Sequence, residues 1–136
     1  MEVQLINDEL LAVLESQAAL SERKRVAFDL RTSPNDNSQR MLNSLQPGTE
    51  VAIHRHEGSD ETNICLNGRL DVIFYVELPN MDAGGPGREF AETYRVTLCP
   101  KEGCYGVQIP KGVWHTILVY EVSTICEMKD GKYEEK

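Results

Sequence analysis

No apolar run in this 136-residue sequence approaches the roughly 18 residues that cross a bilayer, which excludes a membrane-spanning helix. No pair among Cys65, Cys99, Cys104 and Cys126 has C-x-x-C spacing, which excludes a zinc knuckle or a thioredoxin-like redox motif. Basic residues are in deficit, 14 against 22 acidic ones, for a formal charge of -8. That balance argues against nucleic acid as a partner, because phosphate backbones are gripped by clustered Lys and Arg. The one cluster, "ERKR" at 22–25, reads as a solvated helix end. The opening "MEVQLINDEL" lacks the basic start and apolar block of a secretory signal, so a cytoplasmic location is expected. In a reducing cytosol the four cysteines are expected as free thiols, with Cys65 and Cys126 as small core residues on strands. A Cys99–Cys104 disulfide is the one pairing considered against that default. Histidine is scarce too: there are three in the chain, and two of them sit one residue apart in "HRHEGSDE" at 54–61.

The chain is long enough to bury a core of its own without staples, and it reads as one domain with no internal repeat or linker. Only "NDELLAVLESQAAL" is a convincing helix. Asn7 or Asp8 can cap it, Glu9 suits the helix dipole, and Leu10, Leu11, Leu14, Ala18 and Ala19 make an apolar face. From Val26 onward short strands alternate with turns. They are expected at 26–30, 38–45, 50–56, 62–67, 69–78, 92–98, 105–110, 115–120 and 124–129, each rich in β-branched or aromatic residues. Asn67-Gly68 reads as a tight hairpin turn, and residues 78–92 as a long surface loop. Many short strands after one helix predict an all-β, mainly antiparallel sandwich or barrel, with the helix packed outside. The divisions expected are a helical segment at 1–24, a barrel at 25–130 and a tail at 131–136.

Residues i and i+2 of a strand share a face, so His54 and His56 project side by side with Arg55 opposite. A turn through "EGSD" brings Glu61 to the start of the next strand, within reach of both; Glu57 and Asp60 lie in the same turn. The third histidine, His115, follows "IPKGVW" far along the chain. All four side chains meet only if the strands close on one another. Imidazoles and a carboxylate form a borderline site for zinc, iron, nickel, manganese or copper, and four ligands leave a position open for water or substrate.

These residues resemble the cupins. Gly48, five residues, His54-Arg55-His56, four residues, Glu61, six residues and Gly68 match every fixed position of the first cupin motif. Pro110, Gly112 and His115 match the second, whose leading glycine is displaced here and whose terminal Asn is replaced by Val119. The match implies a cupin jelly-roll β-barrel, with His54, His56, Glu61 and His115 as metal ligands and an apolar pocket near Val119. Gly48, Gly68, Pro110 and Gly112 then read as turn-shaping residues. Over nearly the whole chain, "QRML", "PGTEVAIHRH", "LNGRLDVIFY", "IPKGVWHTI" and "EMKDGKYEE" are similar to the WbuC-type cupin metalloproteins, which occur among bacterial O-antigen and polysaccharide genes.

The expected function is that of a metal-dependent enzyme, of isomerase, epimerase or lyase type or an iron(II) dioxygenase, acting on a small polar sugar-like substrate. The alternative is a metal-dependent binding or sensory module without turnover. One divalent transition ion (zinc, iron, nickel or manganese) is the expected cofactor, a small polar or anionic molecule the ligand, and a homodimer the assembly. By strand parity Asn63 shares Glu61's face and Gln108 opposes the apolar Val107 and Ile109, which makes both candidate pocket residues. Arg25, Arg40 and Tyr105 are candidates for meeting an anion, and Tyr105 and Glu127 for a general base. Trp114, next to His115, is expected to point away from the metal and to pack.

Overall fold

In the computed structural model residues 2–79 and 88–131 are described; part of the predicted 78–92 loop (80–87) and most of the tail (132–136) lie outside them. Helix α1 spans Asp8–Leu20. Asn7 Oδ1 accepts the Leu10 N–H at 3.0 Å, and Asp8 and Glu9 occupy the first turn, as the capping logic requires. Its buried residues are Leu11, Leu14 and Ala18, a face that packs on the first two strands, while Ala19 is exposed. Among the described residues no helix is long and apolar enough to cross a membrane.

The strands are β1 (Arg25–Asp29), β2 (Ser38–Leu45), β3 (Glu61–Glu77), β4 (Phe90–Leu98), β5 (Gly106–Ile109) and β6 (Trp114–Asp130). All pair antiparallel in the order β1-β2-β6-β3-β4, with β5 also on β3. This is the expected jelly roll, although its hydrogen-bonded path stays open rather than closing into a ring. Strands β3 and β6, 17 residues each, run the length of the molecule. The first half of β3 pairs with β5 and the end of β6; its second half pairs with β4 and the start of β6.

Two predicted breaks are absent. The Asn67-Gly68 hairpin and the gap between 120 and 124 are instead the two sides of one irregular stretch joining β3 to β6. Gly68 has the positive φ (+91°) that a turn would use, but the chain bends there without reversing. Side chains stand in for the interrupted ladder: Thr124 N–H donates to Asn67 Oδ1 at 2.8 Å, and Arg69 N–H to Ser123 Oγ at 3.0 Å. A Cβ on Gly68 would lie 2.3 Å from both Ser123 Oγ and the Val122 carbonyl, so only glycine lets the strands approach. The bulge bends both strands around one core.

That core joins Leu45, Cys65, Leu70, Val72, Phe74, Leu98, Ile109, Val119 and Ile125. Val119 is thus a packing residue rather than part of an apolar pocket. Burial pushes the Cys65 thiol up to about 11, which keeps it inert. All four cysteines are free, although Cys99 and Cys104 face each other across a backbone pair. The predicted strand at 50–56 pairs only at His54, whose backbone exchanges hydrogen bonds of 3.0 and 2.8 Å with His115. That single pairing brings residues 61 positions apart in sequence side by side.

Candidate metal centre

His54 and His115 are held in one tautomer by their own backbone. His54 Nδ1 lies 2.8 Å from the Ala52 carbonyl and His115 Nδ1 2.9 Å from the Val113 carbonyl. A carbonyl only accepts, so each Nδ1 carries a proton and each Nε2 is the nitrogen left for the site. Ring centroids stand 4.3 Å apart for His54 and His115, 5.3 Å for His54 and His56, and 5.9 Å for His56 and His115. One nitrogen from each of the three lies within 4.8 Å of the other two. Bonds of about 2.1 Å to a common ion would place the nitrogens some 3–4 Å apart, a small closure from this geometry.

Glu61 is the fourth member. Its carboxylate lies 3.3 Å from His56 Nε2 through one oxygen and 3.3 Å from His115 Nε2 through the other. The side chain is 1% exposed, and Oε1 is buried without a hydrogen-bond partner. Burial pushes its carboxyl upward, but the imidazoles of His115 and His56 and the carboxyl of Glu127 outweigh it and hold the group well below the usual carboxylate range. With His115 Nδ1 protonated, Nε2 and Oε2 cannot sit 3.3 Å apart with only lone pairs between them; a proton or a cation must lie there. The donor set and the orphaned oxygen both fit a metal ion. Asn63, 1% exposed, donates to Glu61 Oε2 at 3.4 Å and supports the carboxylate from beneath rather than lining the cavity.

The four side chains open into a cavity of about 1070 Å³. Strand register explains its walls: Arg25, Asn43, Glu127 and Glu61 lie on the inward face that also carries Leu45, Ile125 and Ile109. Glu127 Oε2 accepts from Gln39 Nε2 at 3.1 Å and from Asn43 Nδ2 at 3.5 Å. Arg25 lines the cavity and donates to the Glu50 carbonyl at 2.8 Å. Trp114 packs edge-on against Phe90 (5.0 Å), with the Arg55 guanidinium 4.3 Å from its ring centroid, and it also borders the cavity.

Three expected pocket residues stand elsewhere. Register aligns Arg40, Met128, Thr62 and Gln108 across the sheet on its outer face, where they line a separate groove of about 540 Å³. Arg40 pairs with Asp36 at 3.0 Å, and Gln108 accepts from the Thr62 hydroxyl. Tyr105 is 59% exposed and does not line the cavity; its carbonyl accepts the Cys65 N–H. Sequence reasoning missed Asn43, Gln39 and Lys129. The available signal was the run "SQRMLNSL", in which Gln39 and Asn43 occupy the parity of the core residues Met41 and Leu45.

A family model described as a domain of unknown function (DUF6016) matches residues 6–83. No curated protein matches the sequence. Among solved structures, a cupin-2 domain protein from Shewanella frigidimarina is 20% identical with a TM-score of 0.54, over 85% of this chain and 89% of that one. A cupin superfamily protein from Desulfitobacterium hafniense is 18% identical with a TM-score of 0.59, over 85% and 87%. An oxalate oxidase in complex with the substrate analogue glycolate is 13% identical with a TM-score of 0.58, over 85% of this chain and 55% of the enzyme. At these identities the likeness establishes the fold, a cupin jelly roll.

Proposed function

Because the chain belongs to the DUF6016 family and carries a cupin fold, we propose that it is a metal-dependent enzyme acting on a small polar or anionic molecule. The observation that carries this is the convergence of three imidazoles and one buried carboxylate at the wall of a large cavity, with two Nε2 atoms aimed inward by backbone carbonyls. His54, His56, His115 and Glu61 would hold one divalent ion, zinc, iron, nickel or manganese. Such an ion supplies Lewis acidity for isomerase, epimerase or lyase chemistry, or oxygen activation if it is iron(II). Glu127 would take or give a proton; its carboxyl borders the cavity and accepts from Gln39 and Asn43, which supports that role. Asn63 would keep Glu61 in the ligating rotamer. The similarity to WbuC-type cupins supports a role in bacterial surface-polysaccharide (O-antigen) biosynthesis, and the reading extends to a cytoplasmic homodimer without nucleic acid or membrane as partner.

The test is metal analysis of protein purified without chelator, followed by activity screening on sugar and nucleotide-sugar substrates. His54→Ala and His115→Ala should lose most of the bound metal while the far-ultraviolet circular dichroism spectrum stays that of the wild type. Metal should also leave on acidification, because protonated imidazoles cannot ligate. Full occupancy in both variants would remove the assignment. A tightly held metal with ligand binding but no turnover on any substrate class would make the protein a binding or sensory module instead.

A further inference from the structure

Five of the chain's fourteen basic residues line the cavity, against four of its twenty-two acidic ones, among the described residues. Of those four, Glu61 faces the imidazoles and Glu57 pairs with Arg55 at 2.8 Å. Basic residues thus outnumber acidic ones on this wall, the reverse of the chain as a whole. Two of them, Arg23 and Arg25, come from one stretch at the start of β1. Arg25 lies opposite Leu45 on the inward face, and its guanidinium is fixed by the Glu50 carbonyl.

The segment from Val51 to His54 lines the cavity, directly after the Glu50 carbonyl that holds Arg25. Four residues of chain span at most about 14 Å, which bounds the separation of the Glu50 backbone that holds the guanidinium from the His54 backbone that carries the first imidazole. The cavity wall also carries the apolar Leu45, Val51, Ile117 and Ile125. A volume near 1070 Å³ far exceeds what a two-carbon acid fills. Resting on the metal reading above, we propose that the substrate is two-ended: a metal-seeking oxygen group at one end, a carboxylate or phosphate seated by Arg25 at the other, and a ring-sized body between. Arg25 is then the specificity-determining residue, since its planar fork matches either anion. Lys129 and Arg23 add positive charge that draws anions inward.

A series of α,ω-dicarboxylates from oxalate to sebacate, each from six carbons up paired with the monocarboxylate of equal length, tests this on metal-loaded protein. Binding is read by calorimetry and by the fluorescence of Trp114, the only tryptophan, which borders the cavity. Losing a charge-assisted hydrogen bond costs about a factor of ten or more. Wild type should therefore prefer a dicarboxylate of about six to ten carbons over its monocarboxylate by at least about tenfold. Arg25→Gln should reduce that preference to less than about threefold, leaving oxalate affinity and metal content unchanged. Arg25→Lys, which keeps the charge, should retain part of it and serves if the glutamine variant is unstable. No preference at any length in wild type, or one that survives Arg25→Gln, overturns the proposal. If wild type holds no metal and binds no oxalate, but binds octanoate in an Arg25-dependent way, the anion seat stands and the metal reading falls.

Discussion

Replacing Gly68 with alanine should cost far more than replacing Gly58, although both glycines lie in or beside the sequence motif that carries the histidines. At Gly68 the backbone has φ +91°, and a Cβ would stand 2.3 Å from the Val122 carbonyl and from Ser123 Oγ, and 2.7 Å from Ser123 Cα. The left-handed conformation alone costs an L-residue about 1–2 kcal/mol. Relieving the clash requires β3 to move off β6, where Arg69 N–H donates to Ser123 Oγ and Thr124 N–H to Asn67 Oδ1. Each bond lost costs about 1 kcal/mol. The sum is roughly 3–4 kcal/mol, a large part of the stability of an ordinary domain. Gly58 has no atom within 4 Å of an added Cβ and no positive φ, so its alanine variant should fall within about 0.5 kcal/mol of wild type. Urea unfolding followed by circular dichroism, with the m-value checked for constancy, measures both. Equal stability of the two variants would refute the bulge as the reason for glycine at 68.

Three further outcomes are expected. Asp71, 3% exposed, accepts from Thr97, Tyr120 and Arg95 at 2.6, 2.7 and 3.2 Å; these bonds outweigh burial, which raises its carboxyl, and hold it below its ordinary value of 3.8. Its contribution is therefore complete above about pH 4 and fades as the pH falls through the lower folded-state value, so Asp71→Asn should lose about 1–3 kcal/mol at pH 7 and show a flatter acid limb in a pH series of denaturation curves. Arg40→Gln should leave metal content and ligand affinity unchanged, because the side chain lies on the outer face; a tenfold loss of ligand binding would place it in the cavity after all. Glu127→Gln should keep metal content while lowering turnover by about 10²–10⁴-fold once a substrate is found, the usual worth of a positioned acid or base.

The nearness of His54, His56 and Glu61 was legible because its geometry is local: i,i+2 parity sets His54 beside His56, and a short turn returns Glu61, whereas His115, 61 positions on, was reached only through the motif resemblance. The eight-residue β2 was read to its ends for the same reason, as an unbroken β-rich run. The Asn67-Gly68 error has a different origin. A positive-φ glycine is needed both to reverse a chain and to bulge it, and which occurs depends on the partner strand at 121–124, which local sequence does not reveal. Gln108 was misplaced by the assumption that the cavity lies on the polar side of the strand, and Arg40 was chosen for its charge without regard to its face. In a jelly roll the cavity and the core share the inward face, so Val107 and Ile109 mark the cavity side and Gln108 the solvent.

That shared face explains why a stable core carries a row of polar groups. Gln39, Glu61 and Asn63 are 2%, 1% and 1% exposed on the same surface as Leu45, Cys65 and Ile109. Mutual hydrogen bonds satisfy them in part, yet Asn63 Oδ1 remains buried without a hydrogen-bond partner, costing about 1–3 kcal/mol, and Glu61 Oε1 has only the His56 imidazole at 3.3 Å. A chain selected for stability alone would place hydrocarbon there. Glu61→Leu should therefore unfold, metal-free, at a urea concentration no lower than metal-free wild type, since apolar replacement of a buried charge among imperfect partners is often neutral or stabilising. Metal should raise the wild type by about 2.7 kcal/mol at a hundredfold excess over its dissociation constant, and leave the leucine variant unmoved. A metal-free Glu61→Leu protein weaker than wild type by several kcal/mol would mean that the carboxylate holds the fold together, and that its place among the histidines is structural.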